Sequence, residues 1–304
     1  MSHKEEITIA VVGDIHDLWE REDRRALQHL GVDLVLFVGD FGNEAVEVVR
    51  EIAAVETPKA AIAGNHDAWY TASSWGRQKA PYDRTVEDRV QQQLDLLGET
   101  HVGFSKLDFP QFDLSVVGSR PFSWGGSTWR NSEFYRDRYG IKNFEESTQQ
   151  IVQSAKEAAH ETIISIAHNG PYGLGDKTES ICGRDWKIEG GDYGDPDLTA
   201  AIARIRDLGK SIPLVTFGHM HHELKNPRGK RRNIVEVREE TVYFNAACVP
   251  RIVGGGEKRS FSLVTLCQKT VREISLIWLN RDFNIQSDEV LYQRTVNSEQ
   301  ASSL

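Results

Sequence analysis

Short apolar runs, rich in valine and isoleucine and bounded by turn residues, recur along this chain and predict buried strands. Five of these runs end at a side chain that can bind a metal ion, and four of them reach it through a glycine. The runs and the motifs that follow them are 7–12 before Gly13-Asp14-Ile15-His16, 34–38 before Gly39-Asp40, 60–63 before Gly64-Asn65-His66-Asp67, 163–167 before His168, and 214–217 before Gly218-His219-Met220-His221. Because ligands collect beyond the carboxyl ends of strands in open α/β sheets, these side chains are expected to lie together.

Helical periodicity separates the first three strands. Residues 19–30 and 44–54 are predicted as helices, the second because Val46, Val49 and Ala53 lie at helical spacing. This β-α-β alternation implies parallel strands with right-handed crossovers. Further strands are predicted at 114–118, 234–237, 242–246, 261–266 and 271–278, with antiparallel pairing among the last four, and further helices at 86–97, 144–159 and 196–208.

Two long segments interrupt this rhythm, residues 68–160 and the glycine-rich residues 169–195. Loops of such length are usually functional or disordered, so we predict that both segments are insertions that fold over the site as a cap. The predicted domain spans residues 1–280, and the polar residues 281–304 are predicted to form a C-terminal tail that is partly disordered. The basic run 228–232 is predicted to be a solvated hairpin tip.

Composition limits the classes of partner. The formal net charge of -9 over 304 residues argues against nucleic acid as a partner, because phosphate backbones attract basic surfaces. No apolar stretch approaches the roughly 20 residues that span a bilayer, so no membrane partner is expected. Three widely spaced cysteines fit neither a disulfide framework nor a zinc motif, and the chain enters its first strand without an apolar leader, so a cytoplasmic location is expected.

The motifs at the strand ends supply oxygen and nitrogen ligands for two divalent cations. Two metals about 3.5–4 Å apart need a bridging carboxylate, and Asp40, alone after the middle strand, is the candidate bridge. Asp14 and His16 can face one metal from one loop, and Asn65 offers a carbonyl oxygen where a third anion would over-neutralise the site. Mixed nitrogen and oxygen ligation suits Mn, Fe, Zn or Ni better than Mg, and Mn is the metal we expect to serve in an assay.

In this order the motifs resemble those of the calcineurin-like metallophosphoesterase superfamily. The resemblance implies the α/β class, as a four-layer α/β/β/α sandwich with mixed sheets and a dinuclear site at the sheet edge. It implies that His66 stays free of the metals beside the scissile phosphate and protonates or stabilises the leaving oxygen, while a metal-bound hydroxide attacks in line. The implied ligand sets are Asp14, His16, Asp40 and His221 for one metal, and Asp40, Asn65, His168 and His219 for the other.

One position departs from the Ser/Thr-phosphatase branch of this superfamily. That branch has an aspartate three residues after the bridging aspartate, where this chain has Asn43, and an arginine next, where this chain has Glu44. Asn43 can hydrogen-bond His66 but cannot hold an imidazolium by charge, so a protein Ser/Thr phosphatase is not expected. The Gly-Asp-Phe-Gly-Asn-Glu and Gly-Asn-His-Asp-Ala-Trp-Tyr sequences resemble cyanobacterial and plastid members.

Other candidates carry weaker signals. Asp17 and Asp67 can orient ligand histidines or, equally, serve as turn and cap residues. Arg120, after a predicted strand, can bind a phosphate oxygen or, equally, pair with a surface acid, and Tyr172 is a candidate substrate contact. Aromatic residues near these positions are more often core than substrate platforms, because aromatic side chains dominate buried area.

The predicted function is hydrolysis of a small phosphomonoester or phosphodiester with two divalent metal ions. The alternative is a non-catalytic, metal-bound scaffold of the same fold, against which His66 and the full ligand set count. An amidohydrolase is disfavoured because that barrel opens with its His-x-His pair, whereas here the pair comes last. Substrate choice depends on the loops between the motifs, so the monoester and diester hypotheses both stay open, and no oligomeric state is predicted.

Overall fold

A computed structural model of the chain describes residues 4–295. In chain order the helices and strands are β1 (Glu6–Val12), α1 (Arg21–Leu30), β2 (Leu34–Phe37), α2 (Val46–Ala53), β3 (Lys59–Ala61), α3 (Ser74–Arg77), α4 (Arg89–Leu97), β4 (Lys106–Phe109), β5 (Leu114–Gly118), α5 (Ser132–Tyr139), α6 (Phe144–Glu157), β6 (Thr162–Ile166), α7 (Pro196–Asp207), β7 (Ser211–Phe217), β8 (Val235–Arg238), β9 (Thr241–Asn245), β10 (Ile252–Val253), β11 (Lys258–Cys267), β12 (Thr270–Leu279) and β13 (Ile285–Gln293). Short 3-10 helices occur at His66–Ala68, Gly98–Thr100 and Pro110–Phe112.

The strands form two mixed sheets. The first has the order β13-β12-β11-β1-β2-β3, with β10 beside β11, and the second has the order β4-β5-β6-β7-β9-β8. The strands β1, β2 and β3 are parallel to one another, as are β5, β6, β7 and β9, whereas β11, β12 and β13 pair antiparallel. The predicted α/β class with mixed sheets is therefore confirmed.

The fold has four layers, helices–sheet–sheet–helices, and an apolar cluster fills each of the three spaces between them. Along β1, Ile9 and Val11 lie in the cluster between the two sheets, while Ala10 and Val12 lie in the cluster under α1 and α2. Successive strand side chains point to opposite faces, so a strand covered on both sides must be apolar at every position. A third cluster covers the outer face of the second sheet with residues of α5, α6 and α7.

The structure corrects three expectations about organisation. Residues 68–160 are not a single insertion, since β4 and β5 belong to the second sheet and α6 packs on its outer face. Part of the predicted tail is a strand, since β13 pairs with β12, and residues 296–304 lie outside the described part. Antiparallel pairing after residue 233 holds for β8 with β9, but β9 also pairs parallel with β7.

Within residues 4–295, no helix combines the length and the apolar character needed to cross a bilayer.

Candidate metal centre

The predicted ligands come together where the carboxyl ends of strands from both sheets meet. Asp14 and His16 follow β1, Asp40 follows β2, and Asn65 and His66 follow β3 in the first sheet. From the second sheet, the loops after β6 and β7 contribute His168, His219 and His221. The two sheets thus approach each other at this edge, each with its own set of ligands.

One group of ligand atoms consists of Asp14, His16 and His221, whose ligand atoms all lie within 4.8 Å of one another. The Nε2 atoms of His16 and His221 are 3.1 Å apart, and His221 Nε2 is 3.4 Å from Asp14 Oδ1. Two imidazoles and one carboxylate aimed at a common point are the donor set of a divalent transition-metal site.

The second group consists of Asp40, His168 and His219. His168 Nε2 lies 3.2 Å from Asp40 Oδ1, 3.2 Å from His219 Nδ1 and 3.0 Å from Asn65 Oδ1. His168 Nδ1 donates to the carbonyl oxygen of Val38 at 2.9 Å, which directs Nε2 at the other ligands. The residues present therefore fit a second cation.

Asp40 lies between the two groups. It belongs to the second group, and its carboxylate is also within 4.8 Å of the His16 ring nitrogen. Against the opposing effect of burial, the charge of His168 lowers the pKa of Asp40, and Asp40 in turn raises the pKa of His168 to about 10. Burial, together with the charge of His168, lowers the pKa of His219 to about 3. Strongly perturbed pKa values such as these cluster at functional sites.

The glycines that precede the ligands are explained by the closeness of the loops. A Cβ on Gly64 would lie against the Asp40 amide and carboxylate and 2.6 Å from His168 Nδ1, and one on Gly218 would overlap the Asp14 carboxylate. Several ligands themselves adopt the left-handed backbone region, with φ of 50° at Asp14, 54° at Asp40 and 67° at His219. Such conformations are rare in residues other than glycine, and they are found most often at functional sites.

Asp67 and Asp17 differ in role. The buried carboxylate of Asp67 accepts from the backbone nitrogens of Gly64, Asp40 and Phe41 at 2.6 to 3.0 Å, so it ties the β2 and β3 loops together. It orients ligand-bearing backbone rather than a histidine ring. Asp17 donates its backbone N–H to the carbonyl of Phe41, and no side-chain hydrogen bond joins it to a ligand within residues 4–295.

His66 stands beside the ligands with its ring held on two sides. Its Nδ1 is 2.6 Å from Asn43 Oδ1, and its ring stacks on Trp69 with centroids 4.4 Å apart. Its Nε2 is 3.9 Å from Asp40 Oδ2. Geometry also groups one ring nitrogen of His66 with His16 and an Asp40 carboxylate oxygen as atoms that a cation could contact.

Two predicted substrate contacts are placed elsewhere. Arg120 is buried, and its guanidinium bonds Asp195 at 2.7 Å and Asp197 at 2.8 Å, so the prediction that it binds phosphate is wrong. It instead joins the loop after β5 to the start of α7. Tyr172 is 46% exposed but does not line the cavity beside the metal-binding side chains, so its predicted role is not supported.

A cavity of about 460 Å³ opens beside the candidate metal centre. Its lining includes the proposed ligands and their neighbours Asp40, Asn65, His66, His219, Met220 and His221, together with Trp69, Trp124, Arg130, Asp185, Trp186, Tyr193, Lys225 and Arg232. Parts of both long segments, 68–160 and 169–195, therefore line this cavity. That they act as a cap stays a prediction.

The sequence analysis missed the residue that anchors the glycine-rich segment. Arg232 was assigned to a solvated hairpin tip, but it is buried and donates to the carbonyls of Thr178, Ser180 and Gly183 at 2.6 to 3.1 Å, and to that of His221 at 3.1 Å. Nothing in the local pattern distinguishes it from the exposed residues before it, because its partners are distant in the chain.

Comparisons with known proteins agree with this geometry. The sequence model of a family described as calcineurin-like phosphoesterase matches residues 7–223, more than half of the chain and a span that contains every ligand motif. Among curated proteins, none shows significant sequence similarity to the chain. The protein TT1561 of Thermus thermophilus has a similar fold, with a TM-score of 0.50 at 12% identity over 94% of this chain and 99% of that one. A structure described as a dimetal phosphatase from Danio rerio gives 0.48 at 11% identity over 95% and 99%.

Proposed function

The chain belongs to the calcineurin-like phosphoesterase family, and on that premise we propose that it hydrolyses a small phosphate ester at a dinuclear metal centre. The observation that carries the proposal is the pair of ligand groups that meet at Asp40, each drawing on both sheets. His66 lies beside them on the wall of a cavity. The proposed ligands are Asp14, His16, Asp40 and His221 for one cation, and Asp40, Asn65, His168 and His219 for the other.

Two divalent cations held there would polarise phosphoryl oxygens and make a water-derived nucleophile available near neutral pH. The donor set combines four imidazoles, two carboxylates and one amide oxygen, which suits Mn, Fe, Zn or Ni. The loops hold these donors rigidly, since Asp67 ties the β2 and β3 loops and the Asp14 carboxylate accepts from the His219 backbone N–H at 2.8 Å.

His66 is proposed as the group that protonates the leaving oxygen. With Nδ1 engaged by Asn43, the proton that can be delivered resides on Nε2, which faces the ligand cluster. The Trp69 face beneath the ring limits its rotation, and a tryptophan face also stabilises an imidazolium. Asn43 supplies orientation without charge, so His66 gives up its proton more readily than it would beside a carboxylate.

The cavity supports a small substrate. Its volume of about 460 Å³ matches the range of small-molecule sites, roughly 300–1,000 Å³. Arg130 and Lys225 line it as cations, while the chain as a whole carries a formal charge of -9. A confined cationic pocket in an acidic protein admits a small anion and disfavours a polyanion such as nucleic acid. Both a monoester and a diester remain compatible with this lining.

Turnover with defined esters tests the proposal. We expect purified protein with Mn²⁺ to hydrolyse p-nitrophenyl phosphate or bis-p-nitrophenyl phosphate, and the ratio of the two rates to decide between monoesterase and diesterase activity. The Asp40→Asn variant is the matched control: loss of the shared carboxylate should lower both bound metal and activity, beyond what Asp14→Asn does. Two full metal equivalents in Asp40→Asn would remove the bridging role, and metal binding without turnover of either ester would favour the scaffold alternative.

A further inference from the structure

We propose that the cavity selects phosphate esters whose leaving alcohol carries a planar ring, as a nucleoside phosphate does. This inference rests on the proposed hydrolase function and names the substrate class for the same site. It is carried by the aromatic lining of the cavity, by the position of that lining next to His66, and by two cations that have no partner among the described residues.

Four aromatic side chains line the cavity, namely Trp69, Trp124, Trp186 and Tyr193. Trp69 stacks on His66 and on Trp124, with centroids 4.4 Å and 5.2 Å apart and ring planes within 19° of parallel. The column of rings therefore begins at the proposed proton donor and continues along the cavity wall. A group leaving beside His66 would move along this wall.

Trp186 gives the wall an open face. It is 42% exposed, and its one aromatic contact within residues 4–295 is an edge contact with Tyr193 at 4.7 Å. Tyr193 is itself fixed, because its ring lies against Gly125 and Gly126, the residues after Trp124. A large exposed apolar side chain at the mouth of a cavity is typical of a ligand-binding surface rather than of packing.

The segment that carries Trp186 is anchored and not free to swing. Arg232 holds the carbonyls of Thr178, Ser180 and Gly183, and Asp185 accepts from the backbone N–H of Lys225 at 2.8 Å. The aromatic wall is thus already formed, which lowers the entropic cost of binding a rigid ring.

The charges of the cavity favour an anion beside this wall. Asp185 lies 3.4 Å from the guanidinium of Arg232, which compensates its charge. The side chains of Arg130 and Lys225, which both line the cavity, form no hydrogen bond or ion pair within the described residues. A phosphate ester that carries a planar ring can therefore pair its phosphate with the cationic side chains and stack its ring on the aromatic ones.

A matched pair of inert ligands tests the inference by binding alone. We would measure by calorimetry the Kd of the phosphonate analogues of adenosine 5′-monophosphate and ribose 5-phosphate, in which CH₂ replaces the bridging oxygen, on the Mn²⁺-loaded protein. The two ligands differ only at C1′ of the ribose, where one carries the planar adenine ring and the other a hydroxyl. We expect the ring to tighten binding on the order of 10-fold or more, the size of one stacking contact.

Variants then locate the contact. Trp186→Leu and Trp124→Leu should reduce this ratio several-fold and Trp186→Phe should largely restore it, while Lys225→Met should weaken both ligands alike. Tyr172→Leu is the control, since Tyr172 is a similarly exposed aromatic of the same segment that does not line the cavity. Equal affinity for the two ligands, or a ratio unchanged in both tryptophan variants, would overturn the inference. Ring preference without any esterase activity would instead sink the proposed function and leave ring recognition standing.

Discussion

His66 differs from its neighbours because its ring is held by groups that do not bind metals. Asn43 engages Nδ1, and Trp69 covers one face of the ring. This support explains how a histidine next to metal ligands can keep its Nε2 available for a proton.

Removal of the His66 side chain should therefore separate catalysis from metal binding. We expect His66→Ala to keep near-normal metal content and to lose about 10²–10⁴ in turnover, the usual contribution of a general acid. The loss should shrink when the leaving group is already acidic, as with p-nitrophenol, because protonation then matters less. Metal analysis and kcat for two esters of different leaving-group pKa make the comparison. Loss of a metal equivalent would show that His66 is a ligand.

Asn43 should set the pH range of the reaction. Burial lowers the pKa of His66, and the neutral Asn43 does nothing by charge to raise it. As an acid, His66 acts only while protonated, so the rate with a poor leaving group should fall as pH rises through its pKa. Asn43→Asp places a negative charge next to Nδ1 and raises that pKa, so the falling limb should move to higher pH. If kcat of Asn43→Asp falls at the same pH as in the wild-type protein, or at a lower pH, the assignment of His66 as the acid held by Asn43 would be contradicted.

Among the structural elements, the loops after the strands carry the chemistry, and their support comes from other loops. Arg232, after β7, joins the glycine-rich segment to the carbonyl of His221, so one buried guanidinium couples the cavity wall to a proposed ligand. Arg120 plays a comparable part between the β5 loop and α7, with two aspartates as partners.

Removal of the Arg232 side chain should loosen the glycine-rich segment that carries the cavity-lining residue Trp186. Arg232→Met leaves four backbone carbonyls without this donor and Asp185 without its ion-pair partner, so we expect a stability loss of about 1–3 kcal/mol and a raised KM for small esters at unchanged metal content. Arg231→Met is the control, because Arg231 is more exposed and pairs with Glu289 at the surface, where ion pairs contribute little. Urea unfolding and steady-state kinetics give both quantities. Equal effects of the two substitutions would show that Arg232 is not an anchor.

At the scale of the whole molecule, the proposed metals cross-link the two sheets. Each ligand group takes residues from the first sheet and from the second, so a cation held by the native chain would oppose their separation. Metal bound by the folded state and not by the unfolded state stabilises the fold by an amount that rises with the logarithm of the free metal concentration, about 2.7 kcal/mol when free metal is 100 times Kd.

Chelation should therefore lower the stability of the entire domain in one transition. We expect EDTA to lower the urea midpoint of the wild-type protein and to have a much smaller effect on Asp40→Asn, in which the shared carboxylate is missing. The same midpoint with and without chelator would mean that the metals, if bound, do not join the sheets.

Local pattern was sufficient for much of this molecule. Strand β5 lies where the apolar run predicted it, and the strands that carry ligands lie within a few residues of their predicted bounds. The ligand motifs could be identified for a related reason: parallel strands place their carboxyl ends at one edge, so a motif after each of several strands implies a common site. Side-chain identity and strand period are properties of short stretches, and the sequence displays them directly.

The rest depended on partners far apart in the chain. Arg120 bonds Asp195, 75 residues away, and Arg232 bonds Thr178, 54 residues away, so neither could be assigned from its neighbours. Pairing brought 285–293 into the first sheet as β13, and it placed β4 and β5 in the second sheet, although the apolar run at 114–118 did not indicate which strands it would pair with. Likewise, the aromatic wall and the unpaired cations of the cavity exist only once separate loops pack together. The sequence alone therefore indicated the candidate ligands and the strands that carry them, and the tertiary structure decided what surrounds them, because contact between distant loops is set by packing and not by periodicity.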